Sequence, residues 1–176
     1  MVREIVIWPD PILKKKAAPV GAGRDDSVRT LVEDMFETMY AADGVGLAAP
    51  QVGVLKRIIV LDTSPRQPGA KPIAMIDPEI LEMEGSSLES EGCLSLPGES
   101  EKVERGAKVK VRFFDVGGKE QVMECDGLLA IAVQHETDHL DGVVFVDKLS
   151  ALKRELIKKR MKRYKAEKAA EGLASA

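Results

Sequence analysis

Past Asp25 and Asp26, both able to cap a helix, Val28, Leu31, Val32, Met35 and Met39 recur on one helical face. The spacing predicts an amphipathic helix over Ser27–Ala42, stopped by Asp43-Gly44. Arg57–Asp62 is a short continuous apolar run and predicts a buried strand; Lys71–Asp77 is a weaker strand candidate. From Lys108 to Phe114 the pattern alternates, with Val109, Val111 and Phe113 on one face. Gly117-Gly118 turns that strand into a second, Glu120–Cys125, and predicts a hairpin. Asp126 is placed to cap a helix over Gly127–Leu140, ended by Asp141-Gly142. Its first half, LLAIAV, is apolar all round, so this helix belongs in the core. A third helix is predicted from Leu149 to about Glu171. Leu149, Leu152, Leu156 and Ile157 give it an apolar stripe only at its start, and the rest is expected to project into solvent. Helices and short strands interleave without a βαβ rhythm, which predicts an α+β fold.

Composition narrows the class. The 176 residues are 44% hydrophobic and 31% charged, as expected of one globular domain. No run of 18 apolar residues exists, and no membrane span is expected. The opening MVREIVIWPDP has neither a signal-peptide nor a transit-peptide pattern, so a cytoplasmic location is expected. Two cysteines, Cys93 and Cys125, are too few for a disulfide framework and are expected as free thiols. Between Lys153 and Lys168 there are nine basic and two acidic side chains. That stretch carries +7 in a chain of net charge −3, so the body carries −10. An acidic body argues against a general nucleic-acid-binding domain, while the basic tail leaves room for one local polyanion contact.

The candidate chemistry is concentrated in His135-Glu136-Thr137-Asp138-His139, an H-E-x-x-H on the helix expected to be buried. Residues i and i+4 share a helix face, so both imidazoles can reach one metal ion. Glu136 is placed to act on a water there without being a ligand. These are the only histidines in the chain, and a chance spacing of four has odds of about one in ninety. Unpartnered in a core, each imidazole would cost about 1–3 kcal/mol. A catalytic site takes three protein ligands, and with no histidine left the third must be Cys, Asp or Glu. Cys93, within Glu91-Gly92-Cys93-Leu94-Ser95, is the better thiol; Cys125 lies too near the start of the helix and reads as a small buried hydrophobe. Gly44-Val45-Gly46-Leu47-Ala48-Ala49-Pro50-Gln51 would let another backbone approach closely, with Gln51 offering an amide donor. Taken alone, it also reads as a plain Gly-rich loop.

Together, Gly44–Gln51, Glu91–Ser95 and Gln134–Leu140 resemble the G-x-G-x-A-A-x-Q, E-G-C-L-S and Q-H-E-x-D-H-L motifs of bacterial peptide deformylases, in order and separation. The resemblance runs nearly to Leu152. It implies a compact single domain, antiparallel sheets around a central metal-binding helix plus a C-terminal helix. The catalytic domain would span residues 1–148, and a basic helix and tail residues 149–176. It implies removal of formate from the N-formylmethionine of nascent polypeptides, and one divalent metal ion held by Cys93, His135 and His139. The family normally uses Fe2+; Zn2+, Ni2+ or Co2+ would suit the same ligands in a purified sample. Glu136 would move the proton, with the Gln51 side chain and the Leu94 backbone N–H as oxyanion donors. Val45 and Gly46 would pair with the substrate backbone. Val45, Leu128, Ile131 and Ala132 would line the methionine pocket, with Glu91 at its rim. Core packing accounts for Leu128, Ile131 and Ala132 equally well. The basic C-terminal helix would meet ribosomal RNA. Two other classes share parts of the pattern: a zinc endopeptidase, and a binding module without enzymatic activity that uses the basic tail.

Overall fold

The computed structural model describes residues 1–22 and 24–175, so Ala176 of the expected tail lies outside them. Helix α1 spans Asp26–Ala41, with Asp25 as its cap: the carboxylate accepts from the Ser27 N–H at 2.9 Å. Strands β1 (Gly46–Ala48), β2 (Ile58–Leu61) and β3 (Ile73–Glu84) follow. A hairpin of β4 (Ser87–Cys93) and β5 (Leu96–Arg105) precedes β6 (Lys108–Phe114) and β7 (Glu120–Asp126). The chain ends with helices α2 (Gly127–Leu140) and α3 (Ala151–Ser175). Five strands form one antiparallel sheet in the order β1-β2-β3-β6-β7, and β4 and β5 form a second sheet of two. The α+β architecture matches the expectation.

The apolar run of β2 is continuous because both faces of the sheet are covered there. Ile58 and Val60 pack with Val28, Leu31, Val32 and Met35 of α1, while Ile59 and Leu61 pack with Ala130, Ala132 and Val133 of α2. Val109, Val111 and Phe113 share the α2 side, as their alternation predicts. Helix α2 has the expected bounds and is buried from Ala130 to Thr137. Its start differs in detail: the Asp126 side chain makes no capping bond, and Gln67 reaches across to accept from the Leu129 N–H at 3.2 Å.

Three departures have physical causes. β3 runs past Pro78 because the ladder with β6 absorbs the break as a bulge between Ile76 and Glu79. Asp77 takes a left-handed conformation there, φ 51°, and its carboxylate accepts from the N–H groups of Val20 and Gly21. β4 and β5 were not expected: SLESEGC and LPGESEKVER are polar on both faces and show no two-residue period. Finally, α3 does not simply project into solvent. Leu152 and Leu156 are exposed, while Ile157 and Met161 are buried against Trp8, Leu96 and Phe145. Arg160 forks onto Glu99, and Lys153 pairs with Glu101, so β5 holds the helix to the body.

Candidate active site

Helix α2 places His135 and His139 one turn apart, with their rings edge to face at 5.0 Å between centroids. The end of β4 brings Cys93 to them across the two-sheet junction. Cys93 Sγ lies 3.4 Å from His139 Nε2, which lies 3.3 Å from His135 Nε2. One donor atom from each residue falls within a 4.8 Å cluster. Metal–nitrogen bonds of about 2.0–2.1 Å and a metal–sulfur bond of about 2.3 Å, set tetrahedrally, put the donors about 3.3–3.6 Å apart. The observed spacings fit one ion held by these three groups. Cys125 is elsewhere, buried between the main sheet and α2, and burial pushes its thiol up to about 11.

His135 is aimed by a buried charge network. Its Nδ1 meets Glu91 Oε1 at 2.9 Å, which fixes the tautomer and turns Nε2 toward the cluster. Arg105 forks onto the same carboxylate, Nε to Oε2 at 2.8 Å and Nη2 to Oε1 at 3.0 Å, and gives its Nη1 to Asp138 at 2.6 Å. Burial alone would raise the Glu91 carboxyl, but His135 and Arg105 hold it below the usual range. The family resemblance implies a place for Glu91 on the pocket rim. It does line the cavity, but both its oxygens are taken by these two partners. Gln134, one residue before, clasps the backbone of Gly106: its amide accepts from the N–H and donates to the carbonyl, each at 2.9 Å.

Glu136 is the outlier. Its Oε1 lies 3.9 Å from His135 Nε2, and its buried Oε2 has no hydrogen-bond partner among the described residues. Burial pushes this carboxyl up to about 7. His139 Nδ1 is likewise buried and unpartnered. Burial, and then the charges of His135 and Arg105, hold His139 well below its ordinary value. Gly46 is glycine for a local reason: a Cβ there would sit 2.8 Å from Glu136 Oε1, and one on Gly44 would sit 2.7 Å from Leu94 Cδ1. The small residues of this loop make room for two side chains of the site.

Gln51 is locked in one orientation. Its Oε1 accepts from the Ala48 N–H at 2.9 Å, so Nε2 must face the cluster, 3.1 Å from Ser95 Oγ and 3.5 Å from Cys93 Sγ. A cavity of about 1180 Å3 opens onto Cys93, His135 and Glu136. Val45, Gly46, Leu94, Leu128, Ile131 and Ala132 all lie on its wall; Gln51 and His139 do not.

Sequence reasoning missed Arg105, Ser95 and the part α3 plays in the cavity wall. Arg105 is an inward-facing charge on β5, two residues from the buried Val103, but its strand has no periodic signal to give it away. Ser95 ends the Glu91–Ser95 motif, and only Gln51's position reveals what it touches. Tyr164 and Lys168 of α3 line the cavity, although that end of the helix was expected in solvent.

The chain matches the family model described as "Polypeptide deformylase" over residues 2–155. A protein named peptide deformylase from Thermodesulfovibrio yellowstonii is 52% identical over 161 residues, covering 92% of this chain and 97% of the relative. The crystal structure of a peptide deformylase from Legionella pneumophila superposes with a TM-score of 0.89 at 43% identity, covering 96% of this chain and 98% of that one. The peptide deformylase of Ehrlichia chaffeensis in complex with actinonin gives the same TM-score at 39% identity, covering 93% and 97%.

Proposed function

We infer the roles of these residues from one premise: the chain belongs to the peptide deformylase family, as the match over residues 2–155 and the close relatives show. It is a metal-dependent hydrolase that removes the formyl group from the N-terminal formylmethionine of nascent polypeptides, releasing formate. One observation carries the assignment of roles: a buried carboxylate oxygen on Glu136 with no partner among the described residues, beside a Cys/His/His cluster spaced for one ion.

Cys93, His135 and His139 would hold the ion, Fe2+ by family habit, with Zn2+, Ni2+ or Co2+ accepted by the same donors. When bound, the ion supplies the Lewis acidity that makes water a nucleophile near neutral pH and polarises the formyl carbonyl. Glu136 takes the proton from the attacking water and returns it to the departing amine. The unpaired oxygen and raised pKa of Glu136 suit both steps, because nothing else competes for its proton. The Gln51 amide and the Leu94 N–H donate to the formyl oxygen as it gains charge. Gln51 pays little reorganisation for this, since Ala48 already fixes its orientation. The free edge of β1 at Gly46, with Val45 just before it, takes the substrate backbone and so tolerates many sequences. Leu128, Ile131 and Ala132, at i, i+3 and i+4 on α2, wall the methionine side chain. Glu91 serves by aiming His135.

Formate release discriminates this reading from that of an endopeptidase with the same H-E-x-x-H. The enzyme should release one formate per formyl-Met-Ala-Ser and leave the internal bonds of an unformylated peptide intact. Cleavage of internal bonds without formate would overturn it.

We infer a cytoplasmic site of action from the substrate class, chains that leave the ribosome, and the same class supports a role for α3. Lys159, Lys162, Arg163 and Lys165 are exposed and have no ion pair among the described residues, while Lys153 and Arg160 hold the helix to β5. These four free cations face outward as an RNA-docking stripe on an acidic body. Reversing all four to Glu in the full chain should abolish cosedimentation with ribosomes at low salt, while tripeptide turnover stays within a few-fold of the parent. Undiminished cosedimentation would leave the stripe with solubility alone.

A further inference from the structure

The cavity is larger than a formylmethionine needs. At about 1180 Å3 it exceeds the roughly 300–1,000 Å3 of pockets that bury a whole drug-sized ligand. One part of its wall is the α2 face already described. Another is built by segments far apart in sequence: Ile5 and Ile7 near the N-terminus, Pro97 at the start of β5, and Tyr164 on α3. All four of these side chains are half-buried.

Strand β1 sets the direction in which a substrate must leave. Burial deepens along it from the exposed Asp43 to Ala48, which is fully buried, so β1 runs inward. One edge pairs with β2 (Gly46 opposite Leu61), and the strand order leaves the other edge unpaired, toward the cavity. A chain with its formyl group at Cys93 and Glu136 and its remainder leaving for solvent therefore runs antiparallel to β1. Its first residue would lie against Gly46, its second against Val45 and its third against Gly44, whose N–H is already given to the Met39 carbonyl at 2.9 Å. Backbone pairing ends there, because Asp43 turns into α1 through a left-handed conformation, φ 55°. The next residues meet the remaining wall.

Helix α3 is held in place to supply that wall. Ile157, Met161, Tyr164 and Lys168 fall at i, i+4, i+7 and i+11, one stripe of the helix. The first two are buried in the core, and the last two continue the stripe onto the cavity. The Arg160–Glu99 fork, one turn before Tyr164, clamps this register. We propose that Tyr164, with Ile5, Ile7 and Pro97, forms a second subsite that takes an apolar side chain from the fourth or fifth residue of the formylated chain. The enzyme thereby gains affinity from emerging chains that a tripeptide cannot supply. The proposal rests on the deformylase reading and on the antiparallel course along β1.

The test uses the full-length, metal-loaded enzyme and three substrates: formyl-Met-Ala-Ser, and the same tripeptide extended by Leu-Leu or by Asp-Asp. The Leu-Leu peptide should exceed the tripeptide in kcat/KM by about five- to tenfold, through KM, as burial of part of one apolar side chain provides. The Asp-Asp peptide should show no gain. Tyr164→Ala should erase the Leu-Leu advantage, and Tyr164→Phe should keep it. Alanine suits an outer helix position, so α3 itself should persist. No length advantage in the parent, the same advantage in Tyr164→Ala, or a preference for Asp-Asp directed by Lys168 would each overturn the subsite. Absence of formate from the tripeptide would instead overturn the deformylase reading.

Discussion

Glu136→Ala should lose about two to four orders of magnitude in kcat, the range for removing a positioned proton-transfer group, while keeping about one equivalent of metal. The separation follows from the geometry. Glu136 is next to a ligand in sequence, yet its Oε1 is 3.9 Å from the His135 nitrogen and its Oε2 meets no donor among the described residues. It contributes no atom to the Cys93, His135 and His139 cluster. The same isolation predicts that the variant is no less stable than the parent. An unpartnered carboxyl buried well enough to be pushed up to about 7 opposes folding, so its removal should leave Tm equal or higher. Thermal melts, metal analysis and formate release on one preparation check all three. Activity within tenfold of the parent would remove Glu136 from the mechanism, and loss of metal would make it a ligand.

Cys93→Ala should lose both metal and turnover, and Cys125→Ala neither. Cys93 is one of only three donors, and a site reduced to two imidazoles retains far less affinity for a divalent ion. Metal in the Cys93 variant should fall below a tenth of an equivalent after gel filtration. Cys125 is buried between the sheet and α2 with its thiol pushed up to about 11, far from the thiolate a ligand requires. Its replacement should cost about 1 kcal/mol of stability through the small cavity left behind. Retained metal in Cys93→Ala, or lost metal in Cys125→Ala, would exchange the two assignments.

Where one face of an element is buried against the core, its period was legible. Val28 to Met39 on α1, Val109 to Phe113 on β6, and the all-round apolar start of α2 each led to an element within a residue or two of the one observed. The H-E-x-x-H pair was legible because helical spacing alone puts two imidazoles together. The β4–β5 hairpin was not, since Glu89, Glu91, Glu101 and Arg105 stand on its inward face, where an alternating pattern would need apolar residues. That hairpin carries Glu91, Cys93 and Arg105, so the network that aims His135 stayed hidden with it. The role of Glu91 depends on a partner fourteen residues away, whose position only the strand register fixes. Helix α3 misled for a related reason. Of the expected stripe Leu149, Leu152, Leu156 and Ile157, only Leu149 and Ile157 pack against the body, and the buried face continues through Met161 while Leu152 and Leu156 stay exposed. Nothing local in the sequence distinguishes the two stripes.

The measurement that bears most directly on the site is X-ray absorption at the metal edge of anaerobically purified, full-length protein. One equivalent of ion is expected, with one sulfur near 2.3 Å and two imidazole nitrogens at about 2.0–2.1 Å. A Cys93→Asp variant, which keeps a third donor for the ion, should show no sulfur scatterer. A native spectrum without sulfur, or one whose sulfur persists when Cys93 is replaced, would contradict a centre built from Cys93, His135 and His139.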